Sequence, residues 1–173
     1  ESWEKRSAHS TSGNYYSEIF ADPHQFDRIY SMDTFLQVSD DGGKSFHGLG
    51  EKSKHVDNHV IWVDPKDAAH YLVGCDGGLY ESFDRAATWR FFENLPLLQF
   101  YRVGVDNALP FYNVCGGTQD NFTLCGPSRT QRFQGPANED WEVAQGGDGF
   151  WTAADPTDPN IVYAEAQHGV LTR

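Results

Sequence analysis

Short runs in which apolar and polar residues alternate recur along the chain, and each run ends at an Asp-containing turn. The runs cover residues 17–21, 60–63, 102–105 and 150–154. They are followed by Asp22-Pro23, Asp64-Pro65, Asp106-Asn107 and Asp155-Pro156, which are spaced by 42, 42 and 49 residues. Alternation with a period of two predicts half-buried β-strands, and Asp-Pro pairs predict turns. The pattern therefore predicts a strand-turn unit that is repeated at this spacing.

A second apolar run follows each of these turns, at 28–31, 71–74, 111–115 and 161–164. In the second repeat the pattern predicts four strands, at 58–63, 70–75, 78–82 and 88–93. Four short antiparallel strands in a repeat of this length are typical of β-propeller blades. We therefore predict an all-β chain that forms a single β-propeller domain over 1–173. Its four-stranded blades are predicted at about 12–50, 55–95, 99–143 and 146–173, with 1–7 as a separate outer strand.

The two ends of this repeat array leave two arrangements open. Residues 1–7 resemble a fourth strand, because Trp3 stands where an aromatic residue precedes that strand in other repeats, whereas 169–172 resembles a third strand. Either the first segment completes the last blade and closes a small ring, or the chain is a segment of a larger propeller. In the second arrangement a neighbour, in a larger chain or assembly, would cover the open blade edges.

Two stretches 43 residues apart share one turn pattern. Residues 39–46 and 82–89 both read Ser-x-Asp-x-(Gly/Ala)-x-(Ser/Thr)-aromatic. An Asp carboxylate in a tight turn accepts hydrogen bonds from backbone N–H groups, and a small residue fits where the chain reverses. The conserved positions of the two stretches are therefore interpreted as structural: Ser39, Asp41, Gly43, Phe46, Ser82, Asp84, Thr88 and Trp89. The third repeat departs from this pattern, because 126–130 has no Asp and 131–140 reads as an insertion.

The paired pattern resembles the Asp-box of bacterial-neuraminidase-type repeats, which occur in the β-propellers of sialidases, xyloglucanase-type glycosidases and the sortilin luminal domain. The stretch 76–80, Asp-Gly-Gly-Leu-Tyr, is similar to the Asp-x-Gly-Gly-x-Tyr segment that carries a catalytic Asp in xyloglucanase-type propellers, but it is one residue shorter. This resemblance implies a catalytic role for Asp76. A sialidase is disfavoured, because that group also needs an arginine triad, and none is matched here.

Alignment of the repeats predicts that several carboxylates meet at one rim. Asp33 aligns with Asp76, Asp57 aligns with Asp148, and Asp120 lies in the corresponding turn of the third repeat. Converging carboxylates raise one another's pKa values, as acid/base pairs require. All five are candidate ligand-binding residues, and Asp57, Asp76 and Asp148 are the catalytic candidates. The alternative is that Asp and Gly recur because turns between strands require them.

Two further groups of residues suggest binding chemistry. His55, Asp57 and His59 alternate along one predicted strand, so they would share a face and suit zinc with one open position. The alternative is a set of polar surface residues leading into the strand, and no metal or other cofactor is predicted. Tyr101 and Trp151 lie near the starts of two predicted strands, where they would stack on a sugar ring. The alternative for these rings is packing between blades.

Composition narrows the range of partners. Lys and Arg number 13 against 25 Asp and Glu, so the net charge is −12. This charge argues against nucleic acid and anionic membranes as partners, since both require a positive surface. No run of 18 apolar residues occurs, so no transmembrane segment is predicted. Cys115 and Cys125 flank a Gly-rich stretch and form either a cross-strand disulfide or two buried thiols, which leaves Cys75 over.

These patterns favour a non-catalytic, secreted or periplasmic binding or scaffold module that recognises a protein or glycan partner. The reason is that the most regular motifs explain turns, while no complete catalytic set is present. The alternative is a glycoside hydrolase, or part of one, in which two of the rim carboxylates act as acid and base.

Overall fold

The computed structural model describes residues 2–13, 16–95 and 97–173. These residues form β-strands together with two three-residue 3-10 helices, Asn138–Asp140 and Gln167–Gly169. The chain separates into two compact units, Glu1–Leu95 and Pro96–Arg173. Within the described ranges, no helix is long and apolar enough to cross a membrane. The prediction of an all-β chain is confirmed.

The first unit holds two antiparallel sheets whose strands pair in chain order. Sheet 1 contains β1 (Ile19–Ala21), β2 (Ile29–Ser31), β3 (Gln37–Ser39) and β4 (His47–Gly48). Sheet 2 contains β5 (Asn58–Val63), β6 (Tyr71–Cys75), β7 (Gly78–Ser82) and β8 (Arg90–Phe91). All four strands that the sequence predicts in the second repeat are therefore present.

The second unit also holds two antiparallel sheets in chain order. Sheet 3 contains β9 (Arg102–Val105), β10 (Asn113–Gly117), β11 (Thr123–Pro127) and β12 (Glu142–Gln145). Sheet 4 contains β13 (Gly149–Ala154), β14 (Val162–Ala166) and β15 (Val170–Thr172). Four-stranded antiparallel sheets are thus present three times, and the described part of sheet 4 has three strands.

The segment 1–7 is predicted as an outer strand, and the structure describes residues 2–7 of it. Glu1 lies outside the described residues, and residues 2–7 have no strand assignment. A strand forms where a neighbouring edge accepts its backbone hydrogen bonds, and no described strand pairs with this segment. The side chains of Trp3 and Trp89, the aromatic residues at equivalent positions of the repeat, also differ. The Trp89 indole N–H donates to the Gly50 carbonyl at 3.0 Å, whereas the side chain of Trp3 is fully exposed.

A hydrophobic core lies between sheets 1 and 2. Its fully buried members include Tyr30, Leu36 and Val38 from the first sheet region and Tyr71 and Val73 from the second. Strand alternation explains which of the strand residues are buried, because every second residue of β2, β3 and β6 points to the same side. Each such side chain contributes about 1.5–3 kcal/mol when it is fully buried, so this core is the main source of stability in the unit.

Sheets 3 and 4 approach each other through small residues instead. A Cβ atom on Gly117 would lie 2.2 Å from the carbonyl carbon of Gly149, so no larger residue fits there. The Thr152 hydroxyl donates to the Cys115 carbonyl at 3.2 Å. Because the two backbones are this close, the contact is made by backbone and short side chains rather than by a layer of large apolar residues.

One kind of turn follows the first strand of every sheet. The Asp at its start donates its N–H to a carbonyl six or seven residues later, over distances of 2.9–3.2 Å. Its carboxylate accepts a backbone N–H two residues ahead, as Asp22 Oδ1 does from His24 at 2.7 Å and Asp155 Oδ1 does from Thr157 at 2.8 Å. Asp64 and Asp106 repeat the contact with Lys66 and Ala108. These four Asp residues are therefore used to close the turns.

A second kind of turn joins β3 to β4, and a buried serine lies at its centre. The Ser39 hydroxyl donates to Asp41 Oδ1 at 2.8 Å and accepts the Gly43 N–H at 2.8 Å. Asp41 also accepts the backbone N–H and the hydroxyl of Ser45, at 2.9 and 2.7 Å.

The turn between β7 and β8 repeats these contacts atom for atom. Ser82 bonds Asp84 and the Ala86 N–H at 2.8 and 2.9 Å. Asp84 then accepts the N–H and the hydroxyl of Thr88 at 2.9 and 2.6 Å. Residues 39–46 and 82–89 therefore have the same local structure as well as the same sequence pattern.

These hydrogen bonds favour the ionised carboxylates. The Ser45 hydroxyl, followed by the Ser45 N–H and the Ser39 hydroxyl, holds the pKa of Asp41 well below its ordinary value. The Thr88 hydroxyl and N–H lower the pKa of Asp84 in the same way. An ionised carboxylate accepts hydrogen bonds at both oxygens and donates none, so each turn is fully bonded at neutral pH.

Replacing the central serine should destabilise each sheet. Ser39→Ala and Ser82→Ala leave the buried N–H groups of Gly43 and Ala86 without an acceptor, because the serine side chains are 0% and 1% exposed. We expect each substitution to lower the free energy of unfolding by about 1–3 kcal/mol, as measured by urea denaturation. Ser10→Ala, at an exposed position, is the matched control. Values for both variants within about 0.5 kcal/mol of the control would contradict the assigned role.

Candidate functional site

Asp57 is held in an unusual backbone conformation just before β5. Its φ is +61°, in the left-handed region that non-glycine residues rarely adopt. Its N–H donates to the Thr34 carbonyl at 2.8 Å, and its carbonyl accepts the Asp76 N–H at 3.2 Å. The Tyr16 hydroxyl donates to Asp57 Oδ1 at 2.7 Å. The carboxylate is thus fixed in position by contacts from three segments of the first unit.

His59 lies at a β-bulge in the same strand. Asn58 pairs with Cys75 and Val60 pairs with Gly74, so His59 is the extra residue of the bulge. The bulge places its Nε2 2.6 Å from Asp76 Oδ1, and its ring stacks on Tyr16 with 5.6 Å between ring centroids. One carboxylate oxygen of Asp57 lies within 4.8 Å of one of Asp76. Tyr16, Asp57, His59 and Asp76 together form the acidic cluster of the first unit.

His55 does not join this cluster, so the proposed zinc triad is not assembled. The prediction assumed an extended strand through 55–59, but the left-handed conformation of Asp57 and the bulge at His59 break the alternation. His55 Nδ1 lies 2.9 Å from the Val56 carbonyl, and its side chain fills the space beside Gly77. Among the described residues, the possible ligand atoms of His55, Asp57 and His59 do not all three lie within 4.8 Å of one another.

A buried polar node, formed by the hydrogen-bonded side chains of Glu51, Lys54 and Asn58, fixes the loop that carries Asp57. The Lys54 side chain is 0% exposed, and its ammonium donates to Glu51 Oε1 at 2.8 Å and to Asn58 Oδ1 at 2.5 Å. Asn58 in turn donates to the carbonyls of Asp33 and Thr34. A buried ammonium is tolerated only when its hydrogen bonds are made. The sequence gives no signal for this node, because its members belong to no recognisable motif.

Asp33, aligned with Asp76 in sequence, has a different role from Asp76. Its Oδ1 accepts the N–H of Thr34 at 2.8 Å and that of Ser12 at 3.1 Å, and its carbonyl accepts the Asn58 N–H at 3.0 Å. These are contacts of a structural turn.

Asp120 and Asp148 are brought together in the second unit. Asp148 Oδ1 accepts the Asp120 N–H at 2.8 Å, and the Asp148 N–H donates to Gln167 Oε1 at 2.9 Å. Phe122 and Asp148 also form an isolated parallel bridge. Within each unit, two of the predicted rim carboxylates therefore lie close together: Asp57 and Asp76 in the first, and Asp120 and Asp148 in the second.

Cys115 and Cys125 are joined by a disulfide across sheet 3. They are directly opposite partners on β10 and β11, so of the two alternatives left by the sequence the disulfide is the one present. Cys75 is a free, half-buried thiol. Burial raises the pKa of Cys75, which disfavours the reactive thiolate.

A cavity in the second unit contains both aromatic residues that the sequence predicted to stack on sugar. It has a volume of about 480 Å³ and is lined by Tyr101, Arg102, Phe150, Trp151 and Glu165. Tyr101 and Trp151 are 51% and 55% exposed, so their rings are accessible. Tyr101 stacks on Phe150 with 5.5 Å between centroids and an angle of 6° between planes. Its hydroxyl donates to Gln119 Oε1 at 2.6 Å.

A second β-bulge builds this cavity. Gly149 pairs with Ala166 and Thr152 pairs with Ala164, so Phe150 and Trp151 together lie opposite Glu165. Consecutive residues of a regular strand point to opposite faces, yet Phe150 and Trp151 both line the cavity. The extra residue of a bulge redirects a side chain in this way. Arg102 and Glu165, which the sequence did not single out, complete the lining.

Neither a protein-family model nor a curated protein matches the sequence. Among solved structures, the GH74 xyloglucanase from Xanthomonas campestris is similar at 18% identity, with 88% of this chain and 26% of that chain covered and a TM-score of 0.39.

Two other solved structures give similar values. The GH74 enzyme from Niastella koreensis is 14% identical, with 87% and 24% of the two chains covered and a TM-score of 0.41. An ancestral GH74 enzyme is 14% identical, with 90% and 26% covered and a TM-score of 0.38. The chain thus spans about a quarter of the length of these enzymes. At these values the likeness assigns no activity to the chain.

Proposed function

We propose that the chain is a non-catalytic binding module that recognises a glycan through the cavity of its second unit. The observation that carries the proposal is the pair of accessible rings, Tyr101 and Trp151, beside the charged Arg102 and Glu165 in one concave site. Aromatic faces stack on the apolar faces of pyranose rings, while a few polar groups orient the ligand. The volume of about 480 Å³ is within the range of small-ligand sites.

The proposed scaffold for this site is a β-propeller of the Asp-box type, related to sortilin-like and xyloglucanase-type propellers, of which the chain supplies four blades or a segment. Its support is the repetition of small antiparallel sheets in chain order, with matching Asp turns and two identical Ser-Asp turns. An experimental structure whose four sheets do not stand around a common axis would contradict it.

The proposed location is outside the cytoplasm, in the periplasm or secreted. The support is the disulfide between Cys115 and Cys125, since such bonds persist in oxidising compartments. The net charge of −12 disfavours nucleic acid as a partner. Thiol labelling of protein from its native host should modify Cys75 alone, and labelling of all three cysteines without reduction would contradict this location.

Loss of the accessible indole should weaken glycan binding. For Trp151→Ala we expect about a tenfold increase in Kd, because ring stacking contributes roughly 0.5–1.5 kcal/mol beyond the buried area. Isothermal titration with a panel of pentasaccharides measures the change. Trp62→Ala is the matched control, since Trp62 is also exposed but lies in the first unit. The proposal fails if no sugar binds at millimolar concentration, or if the two substitutions weaken binding equally.

A specific observation favours a second candidate function, hydrolysis of a glycosidic bond at the acidic cluster. Asp57 and Asp76 are close together but differ in surroundings, with a Tyr16 hydroxyl on one and a His59 imidazole on the other. Two carboxylates in unlike environments can take the separate roles of acid and nucleophile or base.

The hydrolase candidate predicts that Asp57→Asn and Asp76→Asn each lower turnover by at least about a hundredfold, because each removes an acid/base or nucleophilic group. Release of reducing sugar from a panel of oligosaccharides measures it. Asp33→Asn serves as the control, since Asp33 closes a turn nearby. A panel without turnover by the wild-type protein would exclude this function and leave the binding proposal intact.

A further inference from the structure

We infer that the cavity of the second unit selects an uncharged pyranose ring, and that Arg102 and Glu165 bind two neighbouring hydroxyl groups of that ring. This inference rests on the proposed glycan-binding function. It concerns which class of sugar the site accepts. It assigns the specificity to two residues whose charged groups form no hydrogen bond or ion pair within the described part of the chain.

Both charged side chains lack a partner within the described part of the chain. Neither Arg102 nor Glu165 forms a hydrogen bond or an ion pair through its side chain, either with the other or with a third residue. Other arginines of the protein are used differently. Arg28 pairs with Asp40 at 2.7 Å and Arg132 pairs with Glu139 at 2.8 Å. The guanidinium and the carboxylate of the cavity therefore remain available to a ligand.

Their chemistry matches a pair of hydroxyl groups. A guanidinium only donates hydrogen bonds, and an ionised carboxylate only accepts them. A hydroxyl group does both, so one hydroxyl can accept from Arg102 while its neighbour donates to Glu165. Hydrogen bonds to charged groups are stronger than those between neutral groups. Two such bonds would fix the orientation of a ring that stacks on Trp151.

The charge balance of the cavity disfavours ionic sugars. One positive and one negative group line it, so the attraction of a uronic acid to Arg102 is offset by Glu165, and that of a protonated amino sugar to Glu165 is offset by Arg102. The net charge of −12 on the chain adds long-range repulsion for acidic polymers. An ionic sugar therefore gains little from its charge, whereas an uncharged ring uses both hydrogen-bonding groups.

The aromatic part of the site is already ordered. Tyr101 is held between its parallel stack on Phe150 and its hydrogen bond to Gln119, and the bulge fixes the backbone of Trp151. Because these side chains need little further ordering, the conformational cost of binding is low. The hydroxyl contacts of Arg102 and Glu165 can then discriminate between sugars.

Removing the two charges one at a time distinguishes the ligand classes, because each class predicts a different direction of change in Kd. The probes are pentamers of glucose, of galacturonic acid and of glucosamine, titrated calorimetrically into the wild-type protein, Arg102→Gln and Glu165→Gln. For an uncharged ligand we expect both substitutions to raise Kd by about tenfold. We also expect the Kd to change by less than about twofold between low and high salt, since no ligand charge is screened.

Ionic ligands would give the opposite pattern for one of the two substitutions. An acidic sugar would bind more tightly after Glu165→Gln, and an amino sugar would bind more tightly after Arg102→Gln. Either result would overturn the inference. Arg85→Gln and Glu93→Gln, which change exposed charges in the first unit, are the matched controls, and circular dichroism confirms that each variant is folded.

Two further outcomes separate this inference from the function beneath it. If the glucose pentamer binds and Trp151→Ala weakens it, but neither Arg102→Gln nor Glu165→Gln has an effect, the glycan-binding function stands and the assigned specificity is wrong. If no pentamer binds to the wild-type protein, both are wrong.

Discussion

The hydrogen bonds between a buried serine hydroxyl, an aspartate and a turn backbone are the constraint on which the first unit depends. Ser39 and Ser82 end the third strands of their sheets, and their hydroxyls face inward with almost no exposure. Each hydroxyl satisfies a buried N–H that the core would otherwise leave unpaired. β4 and β8 contain only two residues each, too few to specify their own pairing, so the preceding turn has to deliver them in register.

This constraint explains how the polar residues are divided between structure and function. Asp41 and Asp84 close the turns before the fourth strands, and Asp22, Asp64, Asp106 and Asp155 close the turns after the first strands. A carboxylate that accepts two or three such bonds is stabilised in its ionised form and is not free to transfer a proton. Many of the Asp residues therefore have a structural role in turns. The residues that remain for binding are those whose polar atoms have no role in a turn.

The sequence predicted the scaffold well because its determinants are local. Spacing of the Asp turns and alternation of apolar residues are enough to place β5, β6 and β7 close to their observed bounds. The site was harder to predict, because it depends on departures from regular geometry. Nothing local indicates that Asp57 adopts a positive φ or that His59 lies at a β-bulge. For that reason the sequence grouped His55 with Asp57 and His59, whereas the structure groups His59 with Asp76. Arg102 and Glu165 are far apart in sequence, and only the pairing of β13 with β14 brings Glu165 beside Trp151.

Both candidate sites use a β-bulge in the first strand of a sheet, β5 in one unit and β13 in the other. A bulge leaves one residue without a partner across the sheet, so that residue contributes little to the ladder and can carry a side chain chosen for another purpose. The turns cannot be varied so freely, since their Ser and Asp side chains are hydrogen-bonded within the turn. Separation of the two roles along one strand lets binding residues change while the turns keep the sheet intact. The same separation explains why the most regular motifs of the sequence are uninformative about a ligand: the repeated Asp residues close turns, whereas the candidate sites are built from His59, Trp151 and their neighbours.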